Sequence, residues 1–217
     1  CVPCRRRHGV REKHRPGRSL SATNLPLRFT PTPTGAPNAA LVRANEKSYN
    51  IPMTSVDRVS RCLADFGLQD RLITLDQSSA TVALAAQALG CPEALIAKTL
   101  AFEYNGSALL VVAAGDAKVD NRKFKAVFGT KAKMPAPDQV EALTGFRPGG
   151  VCPFAPKEGV KVYLDVSLQR FETVYPAGGS GNTAVKLSLA ELQAASRAEK
   201  WVDVCKGWQP QTPAAQG

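Results

Sequence analysis

The stretch best equipped for chemistry is Thr144-Gly145-Phe146-Arg147-Pro148-Gly149-Gly150-Val151-Cys152-Pro153-Phe154. Gly149 and Gly150, closed by Pro153, predict a loop whose backbone N–H groups can approach a ligand closely. Glycine has no Cβ to stand in the way, and proline fixes the far side. A second group is Lys98-Thr99, at the start of the alternating run Ala97 to Tyr104. Strand parity puts Lys98 on the face of Leu100, Phe102 and Tyr104, so its ammonium either snorkels to the rim or meets an anionic group at the sheet's end. Thr99 faces the other way with its hydroxyl. Asp165 closes the strand candidate Val160 to Asp165.

Both histidines, His8 and His14, precede residue 53. The rest of the chain therefore has no Ser-His-Asp or Cys-His mechanism, no histidine base and a poor prospect of catalytic zinc. Cys152 reads either as a nucleophile with its pKa lowered by Lys98, or as a small side chain filling a pocket wall; the lack of a base to relay its proton favours the second. Backbone N–H groups from Gly149 to Cys152, one lysine and Asp165 suit the polarisation of a labile bond, such as an activated ester, with water as nucleophile. They are poorly suited to an amide.

The elements that must position these groups follow from periodicity. Val56, Val59, Leu63 and Phe66 predict a first amphipathic helix stopped at Gly67, then a short strand over Arg71 to Leu75. Ser79 is the expected cap of a helix carrying Val82, Ala85, Ala86 and Leu89, closed by Gly90. Asn105-Gly106 predicts a hairpin between Ala97–Tyr104 and the continuous apolar strand Ala108–Ala114. A helix with Phe124, Val127 and Phe128 ends at Gly129, and Asp138 with Glu141 predicts the start of another leading into the glycine loop. Beyond it, strands are expected at Val160–Asp165, Phe171–Tyr175 and Ala184–Leu187, with a second glycine loop Gly178–Asn182 before the last of these. A Ser188-x-x-Glu191 capping box starts the last helix, and Trp201–Val204 is an edge-strand candidate. Interleaved helices and hairpins predict a mixed-sheet α/β domain without internal repeats.

The series Ile96-Ala97-Lys98-Thr99-Leu100, Ala113-Ala114-Gly115-Asp116-Ala117-Lys118-Val119-Asp120, Lys131-Ala132-Lys133-Met134, Thr144-Gly145-Phe146 with Gly149-Gly150-Val151-Cys152-Pro153-Phe154, and Val162-Tyr163-Leu164-Asp165 resembles the YbaK/ProX (EbsC-like) family of aminoacyl-tRNA deacylases. These are similar to the editing domain of bacterial prolyl-tRNA synthetase, and the resemblance covers nearly all of residues 53–206. It implies a mixed, partly barrel-like sheet flanked by helices. It also implies a pocket for the 3′ aminoacyl-adenosine of a mischarged tRNA, and ester hydrolysis without metal or cofactor. The family's strand lysine falls on Lys98 with Thr99 beside it, its G-x-x-x-P loop on Gly149 to Pro153, and its aspartate on Asp165. The expected catalytic groups are Lys98, Gly149, Gly150 and Asp165; Thr99, Val151, Cys152, Pro153 and Lys118 are the expected substrate contacts. The implied activity is trans-editing of tRNA(Pro) mischarged with cysteine or alanine, with an aminoacyl-tRNA synthetase as a further partner. A silent tRNA or nucleotide binding module of the same fold is the alternative.

Of the 28 Lys and Arg, 10 fall in residues 1–52 beside 2 of the 18 acids, together with 7 of the 16 prolines. This predicts a disordered basic tail, read as non-native sequence, a targeting peptide or a basic arm. Cys1, Cys4, His8 and His14 are too tightly spaced for a zinc finger. A flexible segment is expected over 207–217. No apolar run approaches a membrane span, and the unpaired spacing of Cys62, Cys91, Cys152 and Cys205 fits a reducing, cytoplasmic setting. Lys118, Arg122, Lys123, Lys125, Lys131 and Lys133 form a dense basic cluster, either a solvated helix face or a phosphate-facing patch.

Overall fold

The structure, a computed structural model, describes residues 53–208. The expectations for residues 1–52 and 209–217 lie outside the described residues. Trp208, two residues past the expected boundary at 206, packs against the core.

The centre is the hairpin β2 (Ile96–Tyr104) and β3 (Ser107–Ala114), paired in register from Ala97↔Ala114 to Tyr104↔Ser107. Asn105 (φ 48°) and Gly106 (φ 74°) both take left-handed backbone, which matches the twist of the flanking strands and makes the tight turn possible. Every residue of β3 after Ser107 is buried, because β2 flanks it on one side and β5 (Lys161–Asp165) pairs parallel to it on the other. In turn β9 (Lys200–Val202) pairs parallel with β5, while β6 (Thr173–Pro176) pairs parallel with β2 and antiparallel with β8 (Leu187–Ser188). The resulting six-stranded sheet, ordered β8-β6-β2-β3-β5-β9, curls into a half-barrel flanked by helices. Two small pairs complete it: β1 (Leu72–Thr74) with β7 (Thr183–Val185), and β4 (Lys118–Val119) with β10 (Cys205–Lys206).

Helix α1 (Ser55–Ala64) begins with a full capping box between Thr54 and Asp57 and buries Val59 and Leu63. Helix α2 (Val82–Leu89) is capped by Thr81, whose Oγ1 accepts from the Leu84 N–H, two residues later than the expected Ser79. Asp120 caps α3 (Asn121–Phe128), accepting from the N–H groups of Arg122 and Lys123. On α3, Phe124 packs 4.8 Å from the Phe102 ring and Phe128 5.0 Å from Tyr163, which fastens the helix across one face of the sheet. Full burial of Phe124, Phe146 and Phe154 each stabilises the fold by about 1.5–3 kcal/mol over exposure. Helix α4 (Pro137–Thr144) has no side-chain cap: Pro137 stands in its first turn, so Asp138 complements the helix dipole instead of capping. The expected strand Ala184–Leu187 is split at exposed Lys186, because β7 pairs with β1 and β8 with β6. Ser188 and Glu191 form the capping box of α5 (Leu189–Ser196).

Candidate functional site

Strand β6 pairs with β2 only at Ile96 and Ala97. The next bond on that edge of β2 is the Glu103 N–H to the Lys133 carbonyl, 2.8 Å. By the two-residue alternation of strand backbone, Thr99 and Ala101 present their own N–H and C=O groups in the gap between these anchors. A cavity of about 430 Å³ opens there. Its walls come from Ser79 to Val82, Met134-Pro135, Pro148-Gly149 with Val151, and Tyr175 to Ala177. The lining is largely apolar, and it contains no carboxylate and no imidazole.

Lys98 lines this cavity, half-buried. Its Nζ donates to the Gly115 carbonyl at 2.9 Å and to the Ala117 carbonyl. An ammonium has three donors, so one N–H remains for a ligand. Burial pushes the Lys98 pKa below the usual lysine value; Cys205, Asp116 and Glu93 act the other way, and Lys118 adds to the lowering. Thr99 also lines the cavity, and its Oγ1 is buried with no hydrogen-bond partner among the described residues.

The glycine loop reaches the cavity because small residues flank it. Gly149 has φ 82°, and a Cβ there would stand 2.9 Å from Ala80 Cβ. A Cβ on Gly150 would stand 2.8 Å from Ser180 Cα, so the second glycine loop lies directly behind the first. That second loop is tied to the cavity wall by the Ser79 N–H donating to the Gly181 carbonyl at 2.6 Å. On the approach to the glycine loop, Arg58 donates to the Gly145 carbonyl and lies 5.1 Å over the Phe146 ring.

The structure therefore brings together Lys98, Thr99, Gly149 and Val151, with Gly150 packed behind them against Ser180; Pro153 is buried and does not line the cavity. It does not bring in the other expected residues. Asp165 is fully buried away from the cavity, where Oδ2 accepts from the Val204 N–H and Oδ1 from the Ser167 N–H, both at 2.9 Å. Cys152 is fully buried; its Sγ donates to the Phe154 carbonyl at 3.6 Å, and burial pushes the thiol up to about 12. This leaves it a neutral core side chain at physiological pH, beside the cavity wall and not part of it. Lys118 is exposed and does not line the cavity. Sequence reasoning missed Ser79 to Thr81, Met134-Pro135 and Tyr175 to Ala177. The prolines at 135 and 176 were the available signal, since neither has an N–H to offer a strand ladder and Pro176 is the last residue of β6.

Among the described residues, no group of three His, Cys, Asp or Glu side chains could hold a metal ion, and no helix is long and apolar enough to cross a membrane.

The family model of the aminoacyl-tRNA editing domain matches residues 76–195. The uncharacterized protein YwhH of Bacillus subtilis (strain 168) is 44% identical over 156 residues, which are 71% of this chain and 99% of that protein. The proline–tRNA ligase of Staphylococcus aureus (strain Newman) is 33% identical over 82 residues, 37% of this chain but 14% of the ligase. Among solved structures, a candidate trans-editing enzyme for prolyl-tRNA synthetase superposes with TM-score 0.64 and 30% identity, covering 70% of this chain and 98% of that one. Hypothetical protein APE2540 gives TM-score 0.63 and 32% identity, covering 69% and 99%. The cavity walls formed by Ser79 to Val82, Lys98-Thr99 and Gly149 all fall inside the matched segment, and with it the chain belongs to the aminoacyl-tRNA editing domain family.

Proposed function

We propose that this chain is a trans-editing deacylase, which takes the 3′ end of a mischarged tRNA into the cavity and hydrolyses the ester between amino acid and ribose. The errant residue is alanine or cysteine on tRNA(Pro). The observation that carries the reading is the convergence of Lys98, Thr99, Gly149 and Val151, from two distant segments, on one largely apolar cavity of about 430 Å³. That volume is in the range of small-ligand sites.

In the reaction, the oxygen of water bonds to the ester carbonyl carbon, and the ribose oxygen leaves with a proton. Free amino acid and uncharged tRNA result. Negative charge develops on the carbonyl oxygen, and preorganised N–H donors with the spare N–H of Lys98 stabilise it. The cavity lining has no side chain suited to take the water's proton at neutral pH. The proton passes instead to a group of the substrate, its 2′-hydroxyl or its aminoacyl end. The proposed step uses no metal. Editing fits a small pocket, because binding alone separates side chains that differ by one methylene by only about 1–3 kcal/mol.

The four exposed cations Lys118, Arg122, Lys125 and Lys131 have no ion-pair partner among the described residues, whereas Lys123 pairs with Asp203 at 2.7 Å and Lys133 with Glu103 at 2.7 Å. The segment carrying Lys131 continues into Met134-Pro135 of the cavity wall. This supports a phosphate track for the tRNA leading to the cavity. The similarity to a segment of a proline–tRNA ligase supports a synthetase as the partner that supplies tRNA selectivity. A substrate that is made and used in the cytoplasm supports that location for the chain.

The anchoring of the Lys98 ammonium to two carbonyls favours a second reading, a silent binding module in which Lys98 is structural. Single-turnover deacylation of tRNAs charged with Ala, Cys, Ser and Pro separates the two. Rapid loss of one noncognate ester supports the deacylase. Binding of tRNA with no acceleration on any ester overturns it in favour of the module.

A further inference from the structure

The Lys98 ammonium is held by the carbonyls on either side of Asp116, so whatever fixes the turn Gly115–Ala117 also fixes Lys98. One side of the turn is fixed by packing: a Cβ on Gly115 would stand 2.0 Å from the Glu93 carbonyl oxygen, so only glycine lets the two backbones meet. The other side is fixed by charge. Arg170 donates to both carboxylate oxygens of Asp116, Nη1 to Oδ2 at 2.9 Å and Nη2 to Oδ1 at 2.6 Å. The guanidinium is itself held, because Nε donates to the Ser167 carbonyl at 2.9 Å and the group lies 4.7 Å over Phe171 and 5.2 Å over Trp208. The Arg170 side chain is 9% exposed and that of Asp116 34%, so the pair is shielded from water on the guanidinium side and is fixed by its two-point geometry. Ser167 extends the frame inward: its Oγ accepts from the Ala114 N–H at 3.1 Å, and its own N–H donates to buried Asp165.

We infer that Asp116 and Arg170, which lie outside the cavity, are positioning residues that hold the Gly115–Ala117 turn so that its carbonyls aim the Lys98 ammonium at the substrate. A free lysine side chain has four rotatable carbons and loses that freedom when it meets a ligand. In this protein the loss is taken on folding, before substrate arrives, and the gain appears in the transition state rather than in binding. Asp165 belongs to the same frame, two hydrogen bonds removed from Arg170.

For its kinetic consequence the inference rests on the deacylase reading, but its direct readout does not. The experiment compares the full chain with Asp116→Asn, Arg170→Lys and the double variant, measuring 13Cε NMR order parameters of Lys98 together with kcat and KM for deacylation. Folding is checked by circular dichroism and thermal midpoint. The expected result is that Lys98 is more ordered than exposed Lys125 in the native chain and falls to the Lys125 level in both single variants. With it, kcat drops about tenfold and KM changes less than threefold. The double variant loses no more than either single one, as two residues acting through one contact require. If Lys98 keeps its order in folded variants, the positioning role is overturned. If the native chain shows no deacylation while the variants lose Lys98 order, the deacylase reading fails and the positioning of Lys98 stands.

Discussion

Gly149 and Ala80 meet across the rim of the cavity so closely that a Cβ added to Gly149 would stand 2.9 Å from the Ala80 methyl. Two loops 69 residues apart in sequence thereby share one wall, and each is small for the sake of the other. Gly149 also has φ 82°, which an L side chain adopts only under strain. Gly149→Ala is therefore expected to cost about 1–3 kcal/mol. It should also narrow the cavity mouth, lowering deacylation more than tRNA binding. A urea midpoint with an unchanged slope checks the first part, and parallel rate and filter-binding measurements check the second. Native stability in the variant would mean that the loop relaxes away from Ala80.

Lys98→Ala removes the cationic group of the cavity, and at least a tenfold loss of deacylation rate is expected, about 1.4 kcal/mol of transition-state stabilisation. The ammonium is the active form and burial lowers its pKa. Activity, corrected for the spontaneous loss of the ester, should then fall as pH rises through a midpoint below the ordinary lysine value. The linked effect on stability has the opposite sense. With the folded pKa below the unfolded one, the unfolded state binds more protons between the two values, so the burial penalty is full at lower pH and is relieved as pH rises through that window. Chemical denaturation of native and Lys98→Met chains between pH 8 and 11 measures it: the native chain should gain on the variant as pH rises.

Much of the fold is local chemistry and was legible. Asn105-Gly106 specifies its hairpin because both positions need left-handed backbone, and Ser188 with Glu191 specifies a helix start because their hydrogen bonds close within one turn. The site was legible only in part. Lys98 and Gly149 lie 51 positions apart, and periodicity assigns each an element without placing one against the other; the family resemblance supplied that pairing. Asp165 shows the limit. A carboxylate at a strand end suits catalysis or capping equally; the cap to the Ser167 N–H is local, but the Val204 N–H that holds the other oxygen comes from 39 residues away and has no local signal. Ser79 to Thr81 became part of the cavity through a backbone bond to Gly181, again a contact between distant segments. The splitting of the predicted strand at Lys186 has the same origin, since its two halves answer to different partners.

Cys152 stands in the loop where a nucleophile would be useful, yet its thiol is fully buried and pushed up to about 12. At neutral pH it is a small apolar side chain. Cys152→Ala should keep the deacylation rate within threefold while lowering stability by about 1 kcal/mol through the lost packing. Iodoacetamide at pH 8 should leave Cys152 unlabelled in the folded chain, as peptide mapping would show. A rate that collapses in Cys152→Ala, with the fold intact, would return the thiol to the chemistry.

Salt dependence distinguishes a phosphate track on the basic surface from a solvated helix face. Lys125 and Lys131 are exposed and free of ion-pair partners among the described residues, so their replacement should cost little stability. If each contacts one phosphate, binding of uncharged tRNA should weaken, and the slope of log affinity against log salt should shrink by about 0.7–0.9 for each residue replaced by glutamine. Such contacts read backbone rather than sequence, so the loss should be equal across tRNA species. Lys133, already paired with Glu103 at 2.7 Å, is the internal control and should change the slope less. Equal slopes in the native chain, Lys125→Gln and Lys131→Gln would leave both lysines solvated and overturn the phosphate track.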